Sequence, residues 1–242
     1  MTGAERPSFE IHHDHRDVTG GWLRPAVFGA SDGLVSNFAL IAGVAGGTAA
    51  AGGSSSAVVL AGLAGLAAGA FSMAAGEYVS VASQAELAQA EIELERVELA
   101  ERPEAELAEL TETFVRRGLD PDLASMVAEQ LSRDPEQALE LHVREELGLD
   151  PFDLPSALSA ALSSFLAFSA GALVPVVPYL LGAQTLLPAL LVSMVALFAV
   201  GVLVSQVTVR TWWFSGLRQL ALGGVAAAAT YVLGTLVGAG IG

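Results

Sequence analysis

Residues 33–76 of the chain read GLVSNFALIAGVAGGTAAAGGSSSAVVLAGLAGLAAGAFSMAAG, a run of 44 positions without a charged side chain. Two further uncharged runs follow, at 154–209 and 219–242. A helix crosses a bilayer with about 20 apolar residues. The two longer runs therefore each predict two spans and the last run predicts one. The chain of 242 residues is 53% hydrophobic, with a mean hydropathy of +0.56, which is typical of an integral membrane protein.

The predicted spans are residues 23–45, 57–80, 156–180, 186–208 and 217–240. Every basic residue of the chain is an arginine, and the 11 arginines distinguish the two sides of this layout. They lie before or at the start of the first span, between the second and third spans, or between the fourth and fifth spans. With five crossings, these three regions lie on the same side of the membrane. The positive-inside rule identifies this shared side as cytoplasmic. The predicted fold is an all-α membrane protein with five transmembrane helices, a cytoplasmic helical insert between spans two and three, and the C-terminus outside.

The sequence divides into four segments. They are a polar N-terminal tail at 1–21, spans one and two at 22–82, an acidic insert at 83–155, and spans three to five at 156–242. The insert carries 20 of the 26 acidic residues but only six of the 11 arginines. A membrane protein rarely exposes that much negative charge unless it handles cations. Metal-cation handling is therefore the leading hypothesis.

The insert is predicted to be a small helical bundle. No glycine or proline lies between Glu77 and Arg102. The first helix of the insert should therefore continue directly out of span two. Prolines and glycines then delimit helices at 104–117, 121–133 and 135–147.

Composition also excludes several classes of protein. The chain has no cysteine, so disulfides and thiolate metal sites are absent. It has no phosphate-binding glycine loop and no basic face for nucleic acid. The polar tail does not resemble a signal peptide, so the first span should direct insertion. Arginine in place of lysine, together with the many alanines and glycines, suggests a GC-rich bacterial genome and hence a bacterial plasma membrane.

Asp32 is the most informative single residue, because an ionisable group inside a span is costly and marks a candidate site. Met73 of span two, which runs in the opposite direction, should lie at a similar depth, with Ser36, Asn37 and Ser72 offering further oxygens. A carboxylate beside a thioether favours iron(II) and its neighbours over calcium or magnesium. The carboxylate holds either a metal or a proton, which suggests exchange. Alternatively, Asp32 only bonds a neighbouring helix and Met73 only packs.

Glu77 lies one helical turn beyond Met73 toward the predicted cytosol. It can pass ions from the insert to the membrane site. Equally, it can reach the interface as an ordinary carboxylate at the end of a span, beside the anchoring aromatic Tyr78.

Carboxylates are spaced at helical intervals in the insert. The groups are Glu91, Glu95 and Glu98, then Glu109 and Glu112, then His142 with Glu145 and Glu146. Brought together, they would resemble a carboxylate-rich metal site. They can also be solvated faces, because four pairs at i, i+4 supply arginine partners: Glu98–Arg102, Glu112–Arg116, Glu129–Arg133 and Glu140–Arg144. The tail residues His12, His13, Asp14 and His15 offer a looser metal-binding group.

Small residues and prolines in the spans predict how the helices pack. Four glycine pairs allow close approach between helices, within or between subunits: Gly29/Gly33, Gly43/Gly47, Gly65/Gly69 and Gly234/Gly238. Pro175 and Pro178 should kink the third span and free backbone carbonyls.

Three motifs carry a resemblance to a known family. Residues 24–34 read RPAVFGASDGL, residues 72–78 read SMAAGEY and residues 171–179 read GALVPVVPY. In sequence and order they resemble the vacuolar iron transporter family. That resemblance implies a homodimer with five spans per subunit, a cytoplasmic helical metal-binding domain after span two, and export of iron(II) in exchange for protons.

The resemblance also implies site residues. Asp32 and Met73 would belong to a membrane metal site at the subunit interface. The metal ligands of the insert would be Glu98, Glu101, Glu109, Glu112 and Glu146. The chain departs from some members of the family, which carry a glutamate in place of Gly65 and methionines in place of His142 and Val143.

The function predicted from the sequence is proton-coupled export of iron(II) from the cytosol. The protein should be no enzyme and hold no prosthetic group. Its partners should be lipid, divalent ions, protons and a second copy of itself, with no nucleic acid. One alternative is manganese(II) export by the same mechanism, and another is a membrane-anchored metal buffer that transports nothing. A ferroxidase would need a closely spaced two-metal site.

Overall fold

The computed structural model describes residues 21–206 and 210–241, and all regular structure in these two ranges is helical. The helices are α1 (Leu23–Ala50), α2 (Ser55–Glu101), α3 (Pro103–Arg116), α4 (Pro121–Leu131), α5 (Pro135–His142), α6 (Ala157–Leu173), α7 (Val177–Leu180), α8 (Leu186–Ser205) and α9 (Trp212–Ile241). A π-helical turn, Val143–Leu147, follows α5. The tail residues His12, His13, Asp14 and His15 lie outside the described ranges.

Four of these helices are long and apolar enough to cross a membrane, namely α1, α2, α8 and α9. The predicted third span, 156–180, is divided in the structure, because α6 ends at Leu173 and α7 begins only at Val177. Pro175 has no N–H to continue the helix. The N–H of Val176 bonds the carbonyl of Leu173, three residues back, at 3.0 Å. The helix therefore breaks where the prolines predicted a kink.

Helix α2 joins the membrane part to the insert. Its 47 residues form one uninterrupted helix, about 70 Å long at 1.5 Å per residue, as the sequence predicted. The other insert helices begin at prolines, and Asp120 and Asp134 cap two of them with side-chain bonds to backbone N–H groups. The apolar core of the insert consists of Ile92, Leu139 and Val143.

Helix α1 is the centre of the membrane part, where it packs against α2, α6, α8 and α9. Leu34, Phe38 and Ile41 are almost completely buried on it. Its glycines allow backbones to touch: Gly33 lies against the backbone of Phe168 on α6, and Gly234 of α9 lies against the carbonyl of Gly43. Three of the four predicted glycine pairs thus bring helix backbones together within one chain, and Gly65/Gly69 packs against side chains of α1 and α6.

The contact between α9 and α1 gives a first prediction. Replacing Gly234 by alanine adds a methyl group that clashes with the backbone carbonyl of Gly43, and this backbone cannot move aside. We expect Gly234→Ala to destabilise the fold by about 1–3 kcal/mol, the usual cost of overpacking, and to lower the thermal unfolding midpoint in detergent. Gly240→Ala on the same helix is the control, because no atom of the described residues lies within 4 Å of its added Cβ. Equal midpoints for the two variants would contradict this account of the packing.

Candidate metal centres

The first candidate centre is a cavity of about 280 Å³ between α1 and α2, with Phe168 of α6 at its wall. Its lining includes Asp32, Ser36 and Asn37 of α1 and Gly65, Gly69, Ser72 and Met73 of α2. The structure thus places Asp32 and Met73 on one cavity. We call it the first cavity. Ser36 and Ser72 are exposed, so it opens to the side of the bundle.

The two predicted ligands are held differently. Asp32 is half-buried. The adjacent Gly33 packs against α6, and this contact fixes the position of the turn of α1 that carries Asp32. Met73 packs on Phe168 and Ala70 in an apolar cluster, so it contributes to packing as well as to the cavity wall. Glu77 is half-buried one turn further along α2, and it is not part of the cavity lining.

A second cavity, of about 260 Å³, lies toward the other end of α1. Its polar lining comprises Thr48, Ser55, Tyr179, Gln184, Thr185 and Tyr231. Between the two cavities lies an apolar cluster that contains Ile41 and Val176, both fully buried. These two side chains close the space beside Gly62 of α2.

The second candidate centre lies in the insert and consists of Glu95, Glu106, His142 and Glu146, which we call the inner cluster. One ligand atom from each residue lies within 4.8 Å of all the others. The Nδ1 atom of His142 is 3.1 Å from Glu95 Oε1, 3.1 Å from Glu146 Oε1 and 3.8 Å from Glu106 Oε2. Glu95, Glu106 and His142 are buried. Three carboxylates and an imidazole are ligands suited to divalent first-row metals.

Separate elements bring these four residues together. Glu95 comes from α2, Glu106 from α3, His142 from the end of α5 and Glu146 from the π-helical turn. Isolated π-turns in helices are frequent at functional sites. Gly148, with a φ of 65°, ends this turn in the left-handed region.

The electrostatics of the inner cluster favour a cation. Burial, followed by the charges of Glu146 and Glu106, raises the pKa of Glu95 to about 7. Burial also raises the pKa of Glu106, against the lowering effect of His142. The Nδ1 atom of His142 hydrogen-bonds Glu146, and Glu95 Oε1, although 3.1 Å from the same nitrogen, is buried without a hydrogen bond of its own. A buried carboxylate oxygen in this state is open to a cation or a proton.

The predicted insert ligands divide into three groups. Glu146 belongs to the inner cluster. Glu98 and Glu109 lie close enough to raise the pKa of Glu95 by their charge. Glu101 and Glu112 are exposed and outside the cluster.

Of the four predicted arginine pairs, the structure contains Glu140–Arg144, at 2.9 Å. Among the described residues, no ion pair joins Glu98 to Arg102 or Glu112 to Arg116, and Arg116 donates to Thr113 instead. The carboxylates of Glu98 and Glu112 are therefore not neutralised by the arginines one turn away.

Helical spacing placed Glu95 in a candidate carboxylate group, but the predicted ligands did not include it, and Glu106 was not predicted at all. A signal was nevertheless present. Glu95 is three residues after Ile92 and four before Leu99, and both of these apolar residues pack in the core of the insert. Glu106 lies four residues before the buried Leu110. A carboxylate on the apolar stripe of a helix points inward, where it needs a cation or a proton.

Comparisons with known proteins agree along almost the whole chain. The family model described as "VIT family" matches residues 23–235. The chain is 34% identical over 234 residues to vacuolar iron transporter 1 of Oryza sativa subsp. japonica, covering 94% of this chain and 91% of that protein. It is 32% identical over 237 residues to vacuolar iron transporter 1 of Arabidopsis thaliana, covering 96% and 93%. It is 42% identical over 175 residues to the vacuolar iron transporter of Acanthamoeba castellanii, covering 69% and 62%.

The inner cluster gives a second prediction, on pH. Glu95 must lose its proton to bind a metal, and its pKa is raised to about 7. We expect the affinity of the detergent-solubilised chain for Mn²⁺ to rise about fivefold between pH 6 and pH 7 and to level off by about pH 8. Calorimetry in buffers of different ionisation enthalpy should show proton release on binding at pH 6. Glu95→Gln should weaken binding and flatten the pH profile, whereas the exposed Glu86→Gln should do neither.

In the metal-free chain, the raised pKa of Glu95 makes the folding stability depend on pH. Its folded-state pKa lies above the usual value of 4.5, so the folded state binds more protons between these two values. Stability of the metal-free chain should therefore fall as pH rises from about 5 to 7. An unfolding midpoint with the same pH dependence in wild type and Glu95→Gln would disprove the assignment.

Proposed function

Because the chain belongs to the VIT family, we propose that it exports iron(II) from the cytosol in exchange for protons. Members of this family are transporters, so the chain is a transporter and not an enzyme. The observation that carries the proposal is the position of Asp32 and Met73 on one cavity between membrane helices. The relatives are named as iron transporters.

The coupling to protons follows from the chemistry of Asp32. A carboxylate in a low-dielectric site is stable when it binds a proton or a cation, and it cannot hold both at once. Met73 supplies a thioether, which binds iron(II) better than magnesium or calcium. Arrival of a proton at Asp32 therefore releases the metal, and loss of that proton prepares the site for the next ion.

The proposed path has two ends. An ion held in the first cavity faces the buried Ile41 and Val176, which separate it from the second cavity. Passage requires these apolar side chains to move apart. The second cavity offers only neutral oxygens and an amide in its polar lining, which bind a departing cation weakly.

The insert is proposed to collect metal for this path. Its ligands are the inner cluster together with the outer glutamates Glu98, Glu101, Glu109 and Glu112. Helix α2 carries Glu95 and Glu98 near its C-terminal end and Met73 near its middle, with Glu77 between them. A captured ion can follow this one helix toward the membrane, and Glu77 is the proposed intermediate ligand.

The proposed topology has five crossings and four segments, 1–21, 22–82, 83–155 and 156–242. Helices α6 and α7 together form the third crossing, since the break between them is buried by Val176 and Pro178. The arginine distribution supports a cytoplasmic N-terminus and insert, with the C-terminus on the far side. The composition supports a bacterial plasma membrane, whereas the relatives are named for vacuoles.

A homodimer is the proposed assembly. The first cavity opens sideways beside Ser36, Ser72 and the exposed aromatic ring of Phe71. A second copy placed on this side would seal the cavity from lipid. Without such a cover, the acidic site would face hydrocarbon at a high free-energy cost.

A third prediction tests the transport mechanism. In proteoliposomes with a pH-sensitive dye inside, Asp32→Asn should reduce anaerobic iron(II)-driven proton flux at least about tenfold, because the amide cannot exchange a proton for metal. The exposed Glu86→Gln on α2 is the control and should transport like the wild type. Flux of the Asp32 variant equal to wild type would reject the role of this carboxylate.

The same vesicles separate the alternatives. Faster flux for manganese(II) than for iron(II) in competition would make manganese the cargo. Metal binding without flux of any divalent ion in the wild-type chain would instead establish a membrane-anchored metal buffer.

A fourth prediction tests the five crossings. The chain has no cysteine, so single-cysteine variants report one position each. In intact cells a membrane-impermeant maleimide should label Ala51→Cys and Ala239→Cys, which lie on the far side in the proposed topology. Gln130→Cys in the insert should react only after lysis. Labelling of Gln130→Cys in intact cells, or of Ala51→Cys and Ala239→Cys from opposite sides, would rule the topology out.

A further inference from the structure

Asn37 is the most deeply buried polar side chain of the first cavity, with 2% of its surface exposed. It follows Asp32 by five residues on α1, which places it about 7.5 Å further along the helix axis. It therefore lies deeper in the cavity than Asp32, on the side of the buried Ile41.

Both hydrogens of the Asn37 amide are used between helices. The Nδ2 atom donates to the carbonyl of Gly62 on α2 at 3.1 Å and to the carbonyl of Ala172 on α6 at 2.6 Å. The Ala172 carbonyl is available because the helix breaks at Pro175 and Val176 bonds Leu173 instead. Because both groups are carbonyl oxygens, which only accept hydrogen bonds, the end of the amide that faces them must be the NH₂ group.

The other end of the amide is left open. The Oδ1 atom of Asn37 is buried and has no hydrogen-bond partner among the described residues. It faces Gly65 of α2, where a Cβ atom would lie only 2.8 Å from it. Because residue 65 has no side chain, only a glycine backbone stands beside this oxygen at the wall of the cavity that Asp32 and Met73 also line.

We propose that Oδ1 of Asn37 is a ligand for the transported divalent cation, at a second position deeper in the first cavity than Asp32. The inference rests on the proposed transport function. A buried acceptor without a partner is unfavourable, and an amide oxygen is a ligand that divalent cations accept. Since this oxygen is neutral, it binds the ion without taking up a proton. An ion displaced from Asp32 by a proton thus has a next ligand toward the second cavity.

The chemistry of the ligand predicts its effect on selectivity. Amide and carboxylate oxygens suit manganese(II), whereas a thioether favours softer ions. Blocking the Asn37 oxygen should therefore impair manganese(II) more than zinc(II), which Met73 still binds. A loss of packing alone would affect both ions equally.

The experiment uses Gly65→Ala, which places a methyl group against Oδ1 and retains the Asn37 amide with both of its donor hydrogens. The other neighbour of this methyl group is the end of the flexible Leu40 side chain, which can move. Gly76→Ala on the same helix is the control, because no atom lies within 4 Å of its added Cβ. Asn37→Ala is the second variant, and it removes the oxygen itself.

Uptake of Mn²⁺ and Zn²⁺ by proteoliposomes is measured for each variant under one pH gradient, with unfolding midpoints of the same preparations. We expect Gly65→Ala to raise the KM for Mn²⁺ on the order of tenfold and the KM for Zn²⁺ by much less, at an unchanged midpoint. Asn37→Ala should shift the KM ratio in the same direction, and Gly76→Ala should shift nothing.

An unchanged KM for both ions would show that Oδ1 holds only water and would overturn the inference. Equal increases for both ions would overturn it too, by showing that the methyl group merely narrows the cavity. In either case, loss of flux in Asp32→Asn would leave the proposed function intact. Absence of flux for every ion in the wild-type chain would remove the proposed function and this inference with it.

Discussion

Close contact between helix backbones is the constraint on which the rest of the structure depends. In a bilayer, helices gain little from burying apolar surface against one another, so packing of small residues holds them together. Gly33 and Gly234 bring α6 and α9 against α1. With α1 fixed at the centre, the position of every side chain on it is fixed as well. These glycine contacts therefore fix the positions of Asp32 and Asn37.

The broken third span connects packing to chemistry. A continuous helix would use the carbonyl of Ala172 internally, but Pro175 interrupts it and releases that carbonyl. Asn37 satisfies the released group and is thereby held in one orientation, with its oxygen toward Gly65. Irregular backbone inside a membrane is tolerated where it is buried in protein or lines a cavity. Here it orients a polar group at the cavity wall.

The two candidate centres differ in how they handle charge. The inner cluster brings three carboxylates and His142 together at a largely buried position in the insert, so its affinity is governed by the protonation of Glu95. The first cavity brings one carboxylate, one thioether and neutral oxygens together between membrane helices. A site rich in charge captures ions, and a site with a single charge releases them when that charge is neutralised. Helix α2 links the two in one rigid element.

The sequence by itself determined the features that depend on local pattern. Uncharged lengths and helical spacing predicted the membrane helices, the uninterrupted α2 and the common depth of Asp32 and Met73, since a helix has a fixed rise per residue. The three motifs identified the family that the comparisons show. The tertiary structure alone decided that Glu95 and Glu106 join His142, and that the oxygen of Asn37 faces Gly65. These arrangements depend on which faces of distant helices meet, and no local periodicity contains that information.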